Sequence, residues 1–283
     1  MTSREDGISK PDFARLCSLI YAQSGITLSA DKKTMLELRI RRRLKSLEME
    51  TFADYCHYLF GAKGQKEEII HLLDVVTTNK TDFYREPAHF DFLVQKALPD
   101  LTSRSGSARE LLIWSAGCST GEEPYTLAIV LSEYAATHPG FKFRILATDI
   151  SNTVLEKAYL GVFSDEVAEP VPANLRKKYF LRGRDPSTHR VRVVPELRRL
   201  VEFRRLNFKE DDFDMPEKAD VIFCRNVIIY FDRPTQEHIL QKLCRHLVPE
   251  GYVFMGHAEA LHDMDIPLEP VAPATYRKIH GRA

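Results

Sequence analysis

The 283-residue chain carries 40 Lys+Arg against 40 Asp+Glu, a formal net charge of zero, and 44% of its residues are hydrophobic. Balanced charge argues against a wholesale electrostatic nucleic-acid binder, and the apolar fraction excludes disorder as the dominant state. At roughly 100–200 residues per domain, the length suggests two domains.

The opening MTSREDGISK lacks the apolar core of a secretory signal. Apolar runs stay short, VIIYF at 227–231 among them, so no membrane-spanning helix is predicted. Five cysteines form no CxxC pair and leave an odd one over, which reads as free thiols in a reducing cytosol. No clustered zinc ligands appear, and no metal is expected.

In chain order, Phe13, Leu16, Leu19 and Ile20 predict a first helix that breaks at Gly25. Leu36, Ile40, Leu44 and Leu47 predict a second, from Asp31 to about Leu47. Phe52, Tyr55, Leu59 and Phe60 predict a third, ended by Gly61, and Ile69, Leu72, Leu73 and Val76 a fourth. Residues 1–80 are therefore expected to form a small helical domain. A helix from Ala88 to about Leu98 leads into the polar stretch SRSGSARE.

Short apolar runs then alternate with helical patterns. LLIW (111–114), FRILAT (143–148), VEFRRL (201–206), DVIFCR (220–225) and YVFMGH (252–257) read as strands. Alternating β and α units predict an α/β domain over 81–283, with a parallel sheet covered by helices on both faces. Residues 160–200, with four prolines and the alternating HRVRVV, read as an inserted β-hairpin.

Ligands in such sheets bind beyond the carboxyl ends of the strands. The loop SAGCSTGEEPY (115–125) is neither GxGxxG nor a phosphate loop. Glu122 and Glu123 either complement the positive end of the following helix or meet a cationic ligand. Asp149 ends the second strand, where a carboxylate grips ribose hydroxyls in nucleotide-type folds; capping of the next helix is the plainer reading. Together they point to a nucleoside with a cationic tail, such as S-adenosylmethionine. Asn207 and Phe208 can read an adenine edge and cover its face, or Asn207 is a plain turn residue. Arg225, Asn226 and Tyr230 share one loop, and TTNKTDFYR (77–85) packs Asn79, Thr81 and Arg85 into the junction between domains.

At these residues the sequence resembles the bacterial chemotaxis receptor-glutamate methyltransferases of the CheR type. The markers are NKTDFYR, WSAGCSTGEEPY, ATDIS, IFCRNVIIYF and GYVFMGHAE, in that order, and the resemblance runs from about Phe13 to Lys278. It implies a helical N-terminal domain and a Rossmann-like class I methyltransferase domain with an inserted antiparallel β-subdomain. It implies S-adenosylmethionine as donor, S-adenosylhomocysteine as product, and glutamates on chemoreceptor cytoplasmic helices as acceptors. By matching position, Asn79, Thr81, Arg85, Glu123, Asp149, Asn207, Phe208, Arg225 and Asn226 are expected around the cofactor. Arg85 and Tyr230 are expected nearest the transferred methyl. A cytoplasmic monomer that inserts in no membrane and binds no nucleic acid is the expectation. Tyr84 stands where the family has a second Phe, and the loop 182–193 keeps one glycine.

The helix KKTMLELRIRRRLK (32–45) holds seven basic residues against Glu37. Arg39, Arg42 and Arg43 on it are expected to dock acidic receptor helices rather than serve only as a solvated face. Arg182, Arg184, Arg190, Arg192, Arg198 and Arg199 of the insert are the next candidates. A non-catalytic adenosylmethionine-binding module is the competing class. A nicotinamide dehydrogenase fits less well, because the loop is acidic, and a nucleic-acid methyltransferase lacks an NPPY-like loop.

Overall fold

The computed structural model describes residues 7–105, 109–183 and 185–279; Arg184 and the centre of the SRSGSARE stretch lie outside the described residues. Four helices come first: α1 (Lys10–Ser24), α2 (Lys33–Ser46), α3 (Phe52–Phe60) and α4 (Gly64–Val76). Ser9 and Thr51 start α1 and α3 by accepting the N–H groups of Asp12 and Asp54 on their side chains. The apolar stripes read from the sequence meet in one cluster that includes Leu16, Ile20, Leu36, Ile40, Tyr55 and Leu72.

Helix α5 (Ala88–Phe92) runs through a π-turn at Leu93–Ala97 into α6 (Leu98–Ser105), so helix continues past the expected end at Leu98. Then follow β1 (Glu110–Ala116), α7 (Glu122–Thr137), β2 (Lys142–Asp149) and α8 (Asn152–Leu160). The insert comprises β3 (Val162–Ser164), α9 (Ala173–Tyr179), β4 (Phe180–Arg182), β5 (Arg190–Val193) and α10 (Pro195–Arg198). The chain closes with β6 (Val201–Arg205), β7 (Ala219–Cys224), α11 (Arg233–Arg245), β8 (Leu247–Met255), β9 (Leu268–Ala272) and β10 (Thr275–Lys278).

The main sheet has the order β6-β2-β1-β7-β8-β10-β9. It is mixed rather than parallel throughout, because β10 runs antiparallel to both β8 and β9. The β9–β10 pair escaped the sequence reading: its residues are only half buried and give weak alternation. Leu111 and Ile113 of β1 point into one core and Leu112 and Trp114 into the other, so period-two burial covers both faces.

The insert is a three-stranded antiparallel sheet, β3-β5-β4, not a two-stranded hairpin. Val162–Ser164 was too short to register as a strand. Phe163 and Phe180 of this sheet pack edge-on against Phe83, tying the insert to the start of the α/β portion.

Strand order reverses between β1 and β7. The loops after β1, β2 and β7 therefore open on one crevice beyond their carboxyl ends.

Candidate functional site

A cavity of about 320 Å³ occupies that crevice. Its floor is the loop after β1. Gly117 there has φ 89, and a Cβ added to it would lie 2.5 Å from the Val227 side chain. Only glycine lets the loops after β1 and β7 approach this closely. Ser119 lines the cavity and donates its hydroxyl proton to the Asn79 carbonyl at 3.0 Å, joining the floor to the strap before α5.

Asp149 closes β2 and is 9% exposed. Its Oδ2 accepts the Ser119 N–H at 2.9 Å and its Oδ1 the Ser151 N–H at 3.0 Å. Burial pushes its pKa up, against the pull of these backbone donors. Ser151 caps α8, so the expected Asp149 cap is made by its neighbour. The Ile150 N–H also acts on this carboxylate, and a carboxylate with room for about four donors keeps capacity for a hydroxyl donor from the cavity.

Glu123 and Arg225 face each other across the crevice. Arg225 Nε donates to Glu123 Oε2 at 2.7 Å, and Ser115 Oγ donates to Oε1 at 2.6 Å. The Arg225 side chain is 2% exposed; it also donates to the Arg85 carbonyl at 2.7 Å and to His89 Nδ1 at 3.1 Å. Both Glu123 and Arg225 line the cavity. Glu122 turns away: its Oε2 accepts from Thr120 Oγ1 at 2.6 Å, the helix-start reading.

The strap 77–86 forms one wall, with Asn79, Thr81 and Arg85 in the lining. Tyr84 and Glu86 adopt left-handed φ of 54 and 55, uncommon for non-glycine residues. Arg85 Nη1 donates to the Lys80 carbonyl at 3.0 Å, leaving the rest of its fork for a ligand.

The opposite wall carries Asn207 and Phe208. The Asn207 amide already donates to the Gln23 carbonyl at 2.7 Å, and its Oδ1 accepts the Lys209 N–H at 3.0 Å. Asn207 thus ties the wall to α1, with one N–H left over. Lys242 of α11, 1% exposed, donates to the carbonyls of Phe208 and Glu210. A buried ammonium aimed at carbonyls fixes this loop; nothing in the local sequence marked Lys242 for that role.

Asn226 and Tyr230 complete the lining from the loop after β7. The roof comes from the N-terminal helices: Ile26, Thr27, Lys32 and Met35 also line the cavity. Ile26 bridges to Phe231, and the Thr27 N–H donates to the Tyr230 carbonyl at 2.9 Å. Sequence periodicity could not reveal this, because the α1–α2 connection has no pattern of its own.

The basic helix departs from expectation. Arg39 donates to the carbonyls of Val75, Val76 and Thr77 and to the Thr78 hydroxyl, so it caps α4 and holds the strap. Arg43 is bound to Glu68. Of the three expected docking arginines, Arg42 alone is exposed.

Glu86, His89 and His257 each bring a ligand atom within 4.8 Å of the others. The Arg225 guanidinium already lies 3.6 Å from Glu86 Oε2 and against His89. A fixed cation thus occupies the charge environment that a metal ion would need.

The residues present suit an adenosyl sulfonium ligand: acceptor capacity on Asp149, a Glu123 carboxylate that keeps room on each oxygen beside Arg225 and Ser115, a backbone cradle at Gly117 and an apolar wall at Phe208. Such a site, beyond the carboxyl ends of β1, β2 and β7, is built for a nucleoside cofactor. Residues 79–276 match the family description "CheR methyltransferase, SAM binding domain", and residues 11–77 match "CheR methyltransferase, all-alpha domain". The chain belongs to the CheR methyltransferase family. It is 39% identical over 274 residues to the chemotaxis protein methyltransferase of Borreliella burgdorferi, covering 96% of this chain and 95% of that one. It is 41% identical over 257 residues to chemotaxis protein methyltransferase 2 of Pseudomonas aeruginosa (91% and 89%). With the Escherichia coli chemotaxis protein methyltransferase, identity is 39% over 252 residues (89% and 85%).

Proposed function

We propose that the chain methylates side-chain carboxylates of specific glutamates on chemoreceptor signalling helices in the cytoplasm, forming methyl esters and S-adenosylhomocysteine. The supporting observation is convergence: Arg85 and Tyr230 line the same cavity as Asp149 and Glu123. A cation and an aromatic therefore share one chamber with the acidic groups suited to the cofactor.

S-adenosylmethionine supplies an activated methyl group when bound. Asp149 holds the ribose, Glu123 attracts the ammonium of the methionine tail, and Asn79, Thr81, Asn226 and Arg225 frame it. Asn207 and Phe208 bound the adenine. An acceptor glutamate with an ordinary pKa near 4.3 is already ionised at neutral pH. Arg85 orients that carboxylate through its remaining N–H groups. The Tyr230 ring lends its face to a nearby cation, a contact worth about 0.5–2 kcal/mol. Rate enhancement then comes from alignment and exclusion of water, with no general base.

Residues 1–80 serve as the receptor-docking part, with Arg42 exposed beside Arg41 and Lys45 on α2, and 81–283 as the transferase. No helix among the described residues is long and apolar enough to cross a membrane, in keeping with receptors met from the aqueous side. Incubation with labelled methyl donor and receptor membranes tests the reading: base-labile label on receptor supports it. Adenosylhomocysteine binding without label on any receptor would make the chain a binding module instead.

A further inference from the structure

We infer that Glu259 is the positioning residue for the Tyr230 loop: its carboxylate acts as a single buried staple that fixes where the loop after β7 sits in the active site. This inference rests, for its activity readout, on the methyl-transfer reading above.

Glu259 is 4% exposed, and among the described residues no basic side chain pairs with it. Its carboxylate is instead satisfied by four backbone N–H groups. Oε1 accepts from Val227 and Ile228 at 2.8 and 2.9 Å, and Oε2 from Asn226 and Gly256 at 2.8 and 2.6 Å. A carboxylate has room for about four such donors, so no acceptor site is left over. Desolvation pushes its pKa upward while the four donors pull it down. The geometry requires the ionised form, because a proton on either oxygen would meet an N–H group.

The three stapled residues 226–228 lead directly into the site. Asn226 sits at φ 58, a left-handed conformation that Asn tolerates better than other non-glycine residues and that the staple holds in place. The turn Ile228–Tyr230 hangs from the staple: the Tyr230 N–H donates to the Val227 carbonyl at 3.3 Å and the Phe231 N–H to Ile228 at 3.1 Å. Gly256 completes the device, since a Cβ there would lie 2.4 Å from Asn226 Nδ2. The end of β8 thus presents a donor and a gap, and the loop is drawn into it.

Burying a charge without a counter-ion is expensive, and the four N–H groups that offset it belong to the loop and to its abutment at Gly256. What the charge secures is the placement of Asn226, Val227 and Tyr230, all in the cavity lining. Glu259 itself does not line the cavity, so it acts through the loop.

The test uses the full chain carrying Glu259→Gln, in which an amide –NH2 must face two backbone donors. Folding is checked by circular dichroism. The backbone amide proton resonances of Asn226, Val227, Ile228 and Gly256 should move together away from their charge-assisted positions. Turnover should fall on the order of 10²-fold, the loss a misplacement of about 1 Å produces. Affinity for adenosylhomocysteine should fall by a smaller factor than turnover, through the displaced Asn226, since Asp149 and Glu123 are held by other contacts. Wild-type turnover in the folded variant overturns the inference, as does an equal loss of turnover and affinity, which would indicate a collapsed pocket. If the Gln variant does not fold, Glu259→Asp decides. It keeps the charge one methylene short, and should retain affinity with reduced turnover; wild-type turnover with displaced amide signals sinks the idea. The amide signals need no methyl transfer, so a wild-type chain that binds no adenosylhomocysteine refutes the functional reading and leaves the staple testable.

Discussion

Arg43 and Glu68 meet in a two-pronged ion pair between α2 and α4, with Nε to Oε1 and Nη2 to Oε2 both 2.7 Å. The Glu68 side chain is 1% exposed, and its Oε1 also accepts the Tyr55 hydroxyl at 3.1 Å. The most basic stretch of the chain is thus partly interior scaffolding. Arg43→Ala strands a buried carboxylate and should destabilise the protein by on the order of 3 kcal/mol, read as a lower midpoint in urea unfolding.

Receptor docking must accordingly be probed with Arg42→Glu alone, since reversing Arg39 or Arg43 would disturb α4 or the core. The variant should fold normally, bind adenosylhomocysteine as the wild type does, and show a raised KM for receptor. Because exposed charges are screened by salt, the gap between variant and wild type should narrow as ionic strength rises. An unchanged KM at low salt would remove Arg42 from the docking surface.

Asp149→Ala should weaken adenosylmethionine and adenosylhomocysteine together by about 1.5–3 kcal/mol, the worth of charged hydrogen bonds. Calorimetry measures this, with the melting temperature as a control, since Ser119 and Ser151 lose their acceptor. Measurable affinity of the wild type for NAD would contradict the reading of the acidic floor.

His89 provides an acid-stability signature. Burial first, and then the neighbouring Arg225, lower its pKa from 6.5 to about 4. Between these values the unfolded chain binds a proton that the folded chain refuses, so stability falls as pH drops through this window. The slope reaches about 1.4 kcal/mol per pH unit at most. His89→Gln should flatten that part of the profile in chemical denaturation at successive pH values. An identical profile in the variant would assign the acid loss to other groups.

Turnover should be nearly flat from about pH 6.5 to 8.5, because an acceptor carboxylate with pKa near 4.3 is ionised throughout. A single essential ionisation near neutrality, traced to one side chain, would call for a general base and a different mechanism.

Helical stripes such as Leu36, Ile40 and Leu44 were plain in the sequence because burial on one face imposes its own period. The strands β1, β2, β7 and β8 were plain because both faces are buried and the runs are continuously apolar. Strand β10 was not, since its reversed direction leaves no trace in composition. Asn79, Asp149, Arg225 and Tyr230 come together in one cavity because strand ends and the strap deliver them there, and each stands in a motif the sequence displays. Lys242 carries no signal because it acts on the backbone of a loop distant in sequence, and backbone groups carry no residue identity to read; Glu259 ends the GYVFMGHAE marker, but its partners at 226–228 do not follow from that motif. Arg39 and Arg43 looked like surface charge because sequence shows the charge and not its partner.

The roof over the cavity has one more consequence. Ile26, Thr27, Lys32 and Met35 close from the helical side what Asp149, Asn226 and Phe208 close from the sheet. Any molecule filling that space therefore adheres to both halves of the chain at once and bonds them like mortar. By linkage, a ligand held there strengthens the packing of residues 26–35 against the sheet loops, and any change that loosens this packing weakens the ligand by the same factor.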